Sequence, residues 1–287
     1  MPNIPKTIYD FKKIVYSLST KCNLKCPTCF RTNMVFQDIS YDKEILKKEL
    51  LKHIYSGLEK ILFSSTLEEP FLYKDIFEIL TFIRTKEKLL KKEIHIQIET
   101  NASFGNEEFW EKVGKFCNEN NITLCFTICG STPELHNHYR RGSKLDKMLK
   151  NIYTVLKYTD NYIISLLKFK YNYIDINNYK QWNFINNFNQ DKIVITDTNL
   201  FNEKVYNKEE FNDFNSHKPY VPPINVNRCP ALEQQTIQVE NGKFYPCTRF
   251  QYEHKAIENN PEDIQKVYND ILQNKYKFCE TCTTEWI

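Results

Sequence analysis

The chain has 287 residues, with 39 Lys and Arg against 36 Asp and Glu and a net charge of +3. That length suits one large domain, or one large and one small. The mild charge is dispersed, as in Lys43–His53 (KEILKKELLKH), and by itself gives no argument for a nucleic-acid partner. The first residues, MPNIPKTIYDF, lack a charged segment followed by an apolar one, and no apolar run nears the ~18 residues that span a bilayer. A cytoplasmic protein without a membrane partner is the expectation, and its ten cysteines then read as thiol ligands or core residues rather than a disulfide framework.

Lys13–Ser19 (KIVYSLS) reads as the first strand, and Ser19–Phe30 (STKCNLKCPTCF) follows it. Cys22, Cys26 and Cys29 stand there at Cys-x3-Cys-x2-Cys spacing. Soft thiolates select iron–sulfur clusters or zinc. A zinc knuckle needs a fourth ligand at short spacing, and the nearest histidine is His53. Three thiolates on a cubane leave one iron open to a small molecule. A loop zinc site and three unrelated buried cysteines are the alternatives.

A helix is expected over Lys43–Gly57, then a strand at Lys60–Phe63 and a helix around Lys74–Lys86. Strands follow at Glu93–Thr100 and Ile122–Cys129, with helices over Glu107–Asn120 and Ser143–Leu156. Tyr162–Phe169 and Lys192–Thr198 supply two more strands, with Asn177–Asn187 as a helix between them. Repeated strand–helix alternation predicts a parallel α/β sheet or barrel, whose chemistry gathers at the C-terminal strand ends. The cysteine loop, Glu69, Asn101 and Cys129 all fall at such ends.

Pro219, Pro222 and Pro223 in Ser216–Ile224 (SHKPYVPPI) mark a connector, dividing the chain into 1–215 and 216–287. Beyond it lie Cys229, Cys247, Cys279 and Cys282. TIQVENGKFYPC between the first two reads as a hairpin turning at Asn241-Gly242, and Pro261–Asn274 reads as a helix. Four cysteines suit either a fully ligated cluster or a zinc ribbon.

The cysteine loop after the first of six strand–helix units resembles the signature of the radical SAM (S-adenosylmethionine, AdoMet) superfamily. Ser64–Ile76 (SSTLEEPFLYKDI) is similar to that family's G-x-G-E-P-L-L segment, with Thr66 and Glu68 where glycines are common; the resemblance assigns Glu69 to the AdoMet amino group. Glu99–Ser103 (ETNAS) resembles the T-N-G segment, with Ala102 for the usual glycine, and assigns Asn101 to the ribose. Ser131–Leu149 (STPELHNHYRRGSKLDKML) resembles the stretch carrying an arginine for the AdoMet carboxylate, here Arg140, with Arg141 the alternative. In Thr127–Gly130 (TICG), Cys129 replaces an aspartate common among relatives. A thiol there suits a hydrogen-atom donor for epimerisation, or a small packed hydrophobe, as Cys117 and Cys125 are read.

The C-terminal pattern resembles the Twitch domain, a shortened SPASM domain, which implies that Cys229, Cys247, Cys279 and Cys282 hold an auxiliary [4Fe–4S] cluster. The implied fold is a partial (β/α)6 TIM-like barrel followed by a small cluster-binding domain with a β-hairpin and a helix. The implied cofactors are an AdoMet-binding [4Fe–4S] cluster, the auxiliary cluster and AdoMet itself. The implied activity is radical oxidation or epimerisation of a sugar or nucleotide sugar, with a flavodoxin or ferredoxin as reductant and no nucleic acid involved. Modification of a ribosomally made peptide is the alternative, and a non-catalytic metal scaffold the second. The absence of a recognition domain ahead of Lys13 favours the small substrate.

Overall fold

A computed structural model describes residues 4–33, 37–64, 67–197, 213–214, 229–240, 242–247, 256–273 and 275–276. In chain order its elements begin with β1 (Lys13–Ser17), α1 (Phe30–Asn33), α2 (Lys43–Ser56), β2 (Lys60–Phe63), α3 (Ile76–Leu90) and β3 (His95–Thr100). They continue with α4 (Glu107–Glu119), β4 (Ile122–Ile128), α5 (Pro133–Tyr139), α6 (Leu145–Leu156), β5 (Tyr162–Lys168), α7 (Tyr173–Asn177) and β6 (Ile193–Asp197). The last are α8 (Pro230–Glu233), β7 (Thr236–Glu240), β8 (Lys243–Tyr245) and α9 (Pro261–Leu272). They gather into two compact units, one of Met1–Ser19, Ile39–Ile96 and Tyr220–Ile287, the other of Thr20–Asp38 and Gln97–Pro219.

In the first unit the strand order is β2-β1-β7-β8. β1 pairs in parallel with β2 (Lys13 opposite Lys60) and with β7 (Lys13 opposite Thr236, Ser17 opposite Glu240). Ile14, Val15 and Tyr16 are consecutively buried, the pattern of a parallel strand covered on both faces. β7 returns antiparallel as β8, with Gly242 at φ +70° in the turn, so the hairpin stands as expected. The Asp42 side chain caps α2 by accepting from the Glu44 and Ile45 amides. Gly57, at φ +106°, ends it in the left-handed conformation glycine adopts most readily. Leu46, Leu50 and Ile54 recur four apart and bury one face of that helix.

In the second unit the order is β6-β5-β4-β3, with β4–β5 and β5–β6 parallel. Every residue of β4 is buried. α4 buries Trp110, Val113 and Cys117. Its Gly114 lies against α6 so closely that an added Cβ would stand 2.9 Å from the Val155 carbonyl oxygen.

Two expectations are corrected. The helix expected over Asn177–Asn187 is not continuous: α7 ends at Asn177 and 3-10 turns follow at Tyr179–Gln181 and Ile185–Asn187. Asparagines crowd this segment, and their side chains compete with helical hydrogen bonds for the backbone; Asn178 bonds back to the Ile174 carbonyl in this way. Conversely, α5 was not expected. Thr132 caps it, accepting from the Leu135 amide, and Pro133 opens it. β1 also stops at Ser17, two residues short of the expected end, because Leu18 and Ser19 turn to Glu68 instead.

Candidate functional site

The cysteine loop opens where β1 leaves its ladder. The Glu68 carboxylate accepts from the Leu18 amide (2.9 Å) and the Ser19 hydroxyl (2.9 Å), fixing the two residues that precede the loop. Burial pushes the Glu68 carboxyl up to about 8, although both hydrogen bonds act in the opposite direction. Its neighbour Glu69 is 2% exposed and heads a 3-10 turn at Pro70–Leu72, all within the first unit.

The loop itself belongs to the second unit. Cys29 donates its amide to the Cys26 carbonyl, a turn that places the two cysteines close together. The Lys25 amide donates to the Arg141 carbonyl at 3.0 Å, and the Thr28 hydroxyl donates to Tyr139 at 3.1 Å. These contacts hold the loop against the segment after α5. No disulfide joins any two of the eight described cysteines. Burial raises the Cys26 thiol to about 11, partly offset by the Arg140 guanidinium and reinforced by Cys29 and Cys129. Burial raises Cys29 as well, with Cys22 adding to it. Cys22, Cys26 and Cys29 therefore sense one another.

The Arg140 guanidinium stands near the Cys129 and Cys26 thiols and acts against the rise that burial imposes on both. Its Nε is buried with no hydrogen-bond partner among the described residues, whereas Arg141 is exposed. Cys129 is 0% exposed and packs with Phe169 and Phe214, with Tyr139 and Tyr171 against them. Its amide donates to His136 Nδ1 (3.3 Å), and its carbonyl accepts from Tyr171 (3.0 Å) and Asn172 (2.8 Å). Asn101 donates from Nδ2 to Asn23 Oδ1 at 3.0 Å and to Cys22 Sγ at 3.9 Å. Ala102 follows in the left-handed region at φ +49°, and its carbonyl accepts from Asn151 at 2.8 Å.

The second unit thus brings Cys22, Cys26, Cys29, Asn101, Cys129 and Arg140 together, while Glu69 stands in the first. Sequence reasoning missed His136, Ser143, Asn151 and Asn172, which support this group from behind. Gly130 was the available signal: a Cβ there would lie 2.5 Å from Leu135 Cβ, so a helix returns close over the end of β4. A surface cleft of about 530 Å³ beside α4 and α6 contains none of the expected site residues.

The family model described as "Radical SAM superfamily" matches residues 16–182, more than half of the chain. The chain belongs to the radical SAM superfamily. No curated protein matches its sequence. Among solved structures, native anSMEcpe with bound AdoMet is 18% identical over 94% of this chain and 86% of its own, with a TM-score of 0.66. anSMEcpe with bound AdoMet and Cp18Cys peptide gives 17% identity over 94% and 86%, with a TM-score of 0.65. BtrN in complex with AdoMet and 2-DOIA is 14% identical over 96% of this chain and 93% of its own, at a TM-score of 0.53. The expected α/β fold, with the parallel strands of a TIM-like partial barrel, is borne out by these likenesses.

Radical SAM membership implies a [4Fe–4S] cluster and AdoMet. The residues present fit both. Three thiols lie in one loop, and burial raises Cys26 and Cys29 so that a metal's charge is needed to make them thiolates. Beside them stands the buried, unpartnered Arg140 Nε. No group of three His, Cys, Asp or Glu among the described residues converges to hold a single ion; thiolates that each meet a different iron of a cluster need not do so. Cys229 and Cys247 both lie close enough to Tyr268 to raise its hydroxyl beyond the effect of burial. That hydroxyl is buried without a partner among the described residues. Cys279 and Cys282 lie outside the described residues. Among the described residues, no helix is long and apolar enough to cross a membrane.

Proposed function

We propose that this radical SAM enzyme oxidises, or epimerises, a small polar substrate of the sugar or nucleotide-sugar class. In this reading Cys22, Cys26 and Cys29 hold the AdoMet-binding cluster, which supplies one-electron cleavage of AdoMet to a 5′-deoxyadenosyl radical. Arg140 carries the reading: it is a half-buried cation beside Cys26 whose Nε is buried and unpartnered among the described residues, and a carboxylate such as that of AdoMet satisfies such a donor. Glu69 takes the amino group and Asn101 the ribose.

Residues 216–287 act in this reading as a Twitch segment, with Cys229, Cys247, Cys279 and Cys282 holding an auxiliary [4Fe–4S] cluster that accepts the substrate's second electron. The unpartnered Tyr268 hydroxyl beside Cys229 and Cys247 supports a site in need of an acceptor there. A flavodoxin or ferredoxin delivers the first electron. The likeness to BtrN, whose complex holds AdoMet and 2-DOIA, favours the small substrate. The likeness to anSMEcpe with its bound Cp18Cys peptide favours a second reading, in which the same chemistry modifies a peptide.

Anaerobic reconstitution with iron and sulfide counting tests the cluster assignment. Wild type is expected to hold about eight irons and the Cys22→Ala/Cys26→Ala/Cys29→Ala variant about four. Zinc in place of the remaining four would remove the electron acceptor and sink the oxidation. Product analysis on a panel of sugars, nucleotide sugars and short cysteine-containing peptides then decides between the substrate classes.

A further inference from the structure

Behind the cysteine loop runs a buried chain of hydrogen bonds that the proposed activity does not use. The Cys129 amide is a fixed donor, so His136 Nδ1 accepts from it at 3.3 Å. The neutral ring then carries its proton on Nε2, which donates to Ser143 Oγ at 3.1 Å. Ser143 in turn donates to Ser103 Oγ at 2.6 Å, and Ser103 donates to the Asn101 carbonyl at 2.9 Å. Every direction in this relay is set by a backbone N–H at one end and a backbone carbonyl at the other. His136 is 0% exposed and Ser143 5%. Burial and the neighbouring Arg140 push the imidazole down to about 3, which keeps it in the neutral form the relay requires.

The relay ends on a strained turn. Ala102 sits at φ +49° where only glycine is at ease, so Ser103 and Asn151 must hold it there. The same turn sets the Asn101 amide: the Ser103 N–H donates to Asn101 Oδ1 at 2.8 Å, which fixes oxygen and nitrogen unambiguously. The amide nitrogen is thereby aimed at Asn23 Oδ1 (3.0 Å) and Cys22 Sγ (3.9 Å).

We propose that Asn101 is a hydrogen-bond donor to the Cys22 thiolate that raises the reduction potential of the cluster, and that His136, Ser143 and Ser103 are positioning residues that hold it in that role. This rests on the ligand set Cys22, Cys26 and Cys29 proposed above. Hydrogen bonds to cluster sulfurs disperse the negative charge gained on reduction and so raise the potential.

The test is a redox titration followed by electron paramagnetic resonance, on reconstituted protein without AdoMet. The titration compares wild type, Asn101→Leu and Ser143→Ala, with iron counted in each. Asn101→Leu is expected to lower the potential by at least 59 mV, the equivalent of a tenfold change for a one-electron couple. Ser143→Ala, which changes nothing in contact with Cys22, is expected to shift it in the same direction by less. In metal-free protein, imidazole ¹⁵N shifts are expected to show His136 with its proton on Nε2. Iron bound in all three proteins at one unmoved potential overturns the donor role. A shift in Asn101→Leu alone overturns the relay. Wild type without iron at the loop overturns the ligand set and the donor role with it.

Discussion

Glu68 stands where radical SAM relatives commonly carry glycine, and its carboxyl is buried among the Leu18 amide and the Ser19 hydroxyl. Its folded value is raised from 4.5 to about 8, so between those values the folded chain binds more protons than the unfolded one. Stability contributed by the protonated group is full below about 4.5 and is lost as pH rises through 8. Glu68→Gln mimics the protonated form; its thermal midpoint should therefore fall less between pH 5 and 9 than that of wild type. Parallel curves for the two proteins would contradict the shift. Cys129 invites a separate measurement. Cys129→Ala should cost about 1 kcal/mol of stability as a small core truncation and leave 5′-deoxyadenosine formation intact. If the thiol is the hydrogen-atom donor, the inverted product disappears in that variant. Unchanged stereochemistry retires the donor role and leaves Cys129 as packing against Phe169 and Phe214.

At the scale of elements, the packing of α4 on α6 sets a sharper test than helix propensity. Replacing a mid-helix glycine with alanine ordinarily gains about 1 kcal/mol. At Gly114 the new methyl meets the Val155 backbone at 2.9 Å, and overpacking of that kind costs about 1–3 kcal/mol. Gly114→Ala should therefore lower the urea midpoint rather than raise it. Elements with a strong period were readable in advance: β2 falls where Lys60–Phe63 predicted it, and α2 ends at the glycine that was its natural stop. The cysteine spacing was equally plain. The Asn177–Asn187 segment was not: it reads as one helix in the sequence, while Asn178 bonds to the local backbone. The relay through His136 and Ser143 was also hidden, since it depends on α5 returning over Gly130, a close approach that spacing along the chain does not record. Arg140 and Arg141 were indistinguishable by type; burial separates them.

For the whole molecule, the proline-marked connector near Ser216 suggests where to cut the chain, but the pairing of β1 with β7 sets the consequence of cutting. A chain ending at residue 215 loses the strand that covers one edge of β1 along Lys13–Ser17. An uncovered, apolar parallel strand is a template for aggregation. The 1–215 fragment should elute as soluble aggregate or precipitate, and a monodisperse monomer on size-exclusion chromatography would contradict this. A cut near Ser216 therefore divides one sheet rather than two folding bodies.

The same pairing orders events during synthesis. β1 leaves the ribosome before its partner β7, which emerges roughly 220 residues later, so at ordinary elongation rates of ~5–20 residues per second the strand waits about ten seconds or more with one edge open. The cysteine loop is joined directly to that waiting strand. Its thiols are exposed to metals and oxidants throughout the interval, before burial has raised their affinity for protons. The loop and the open strand edge thus share one interval of exposure, which closes only when β7 arrives.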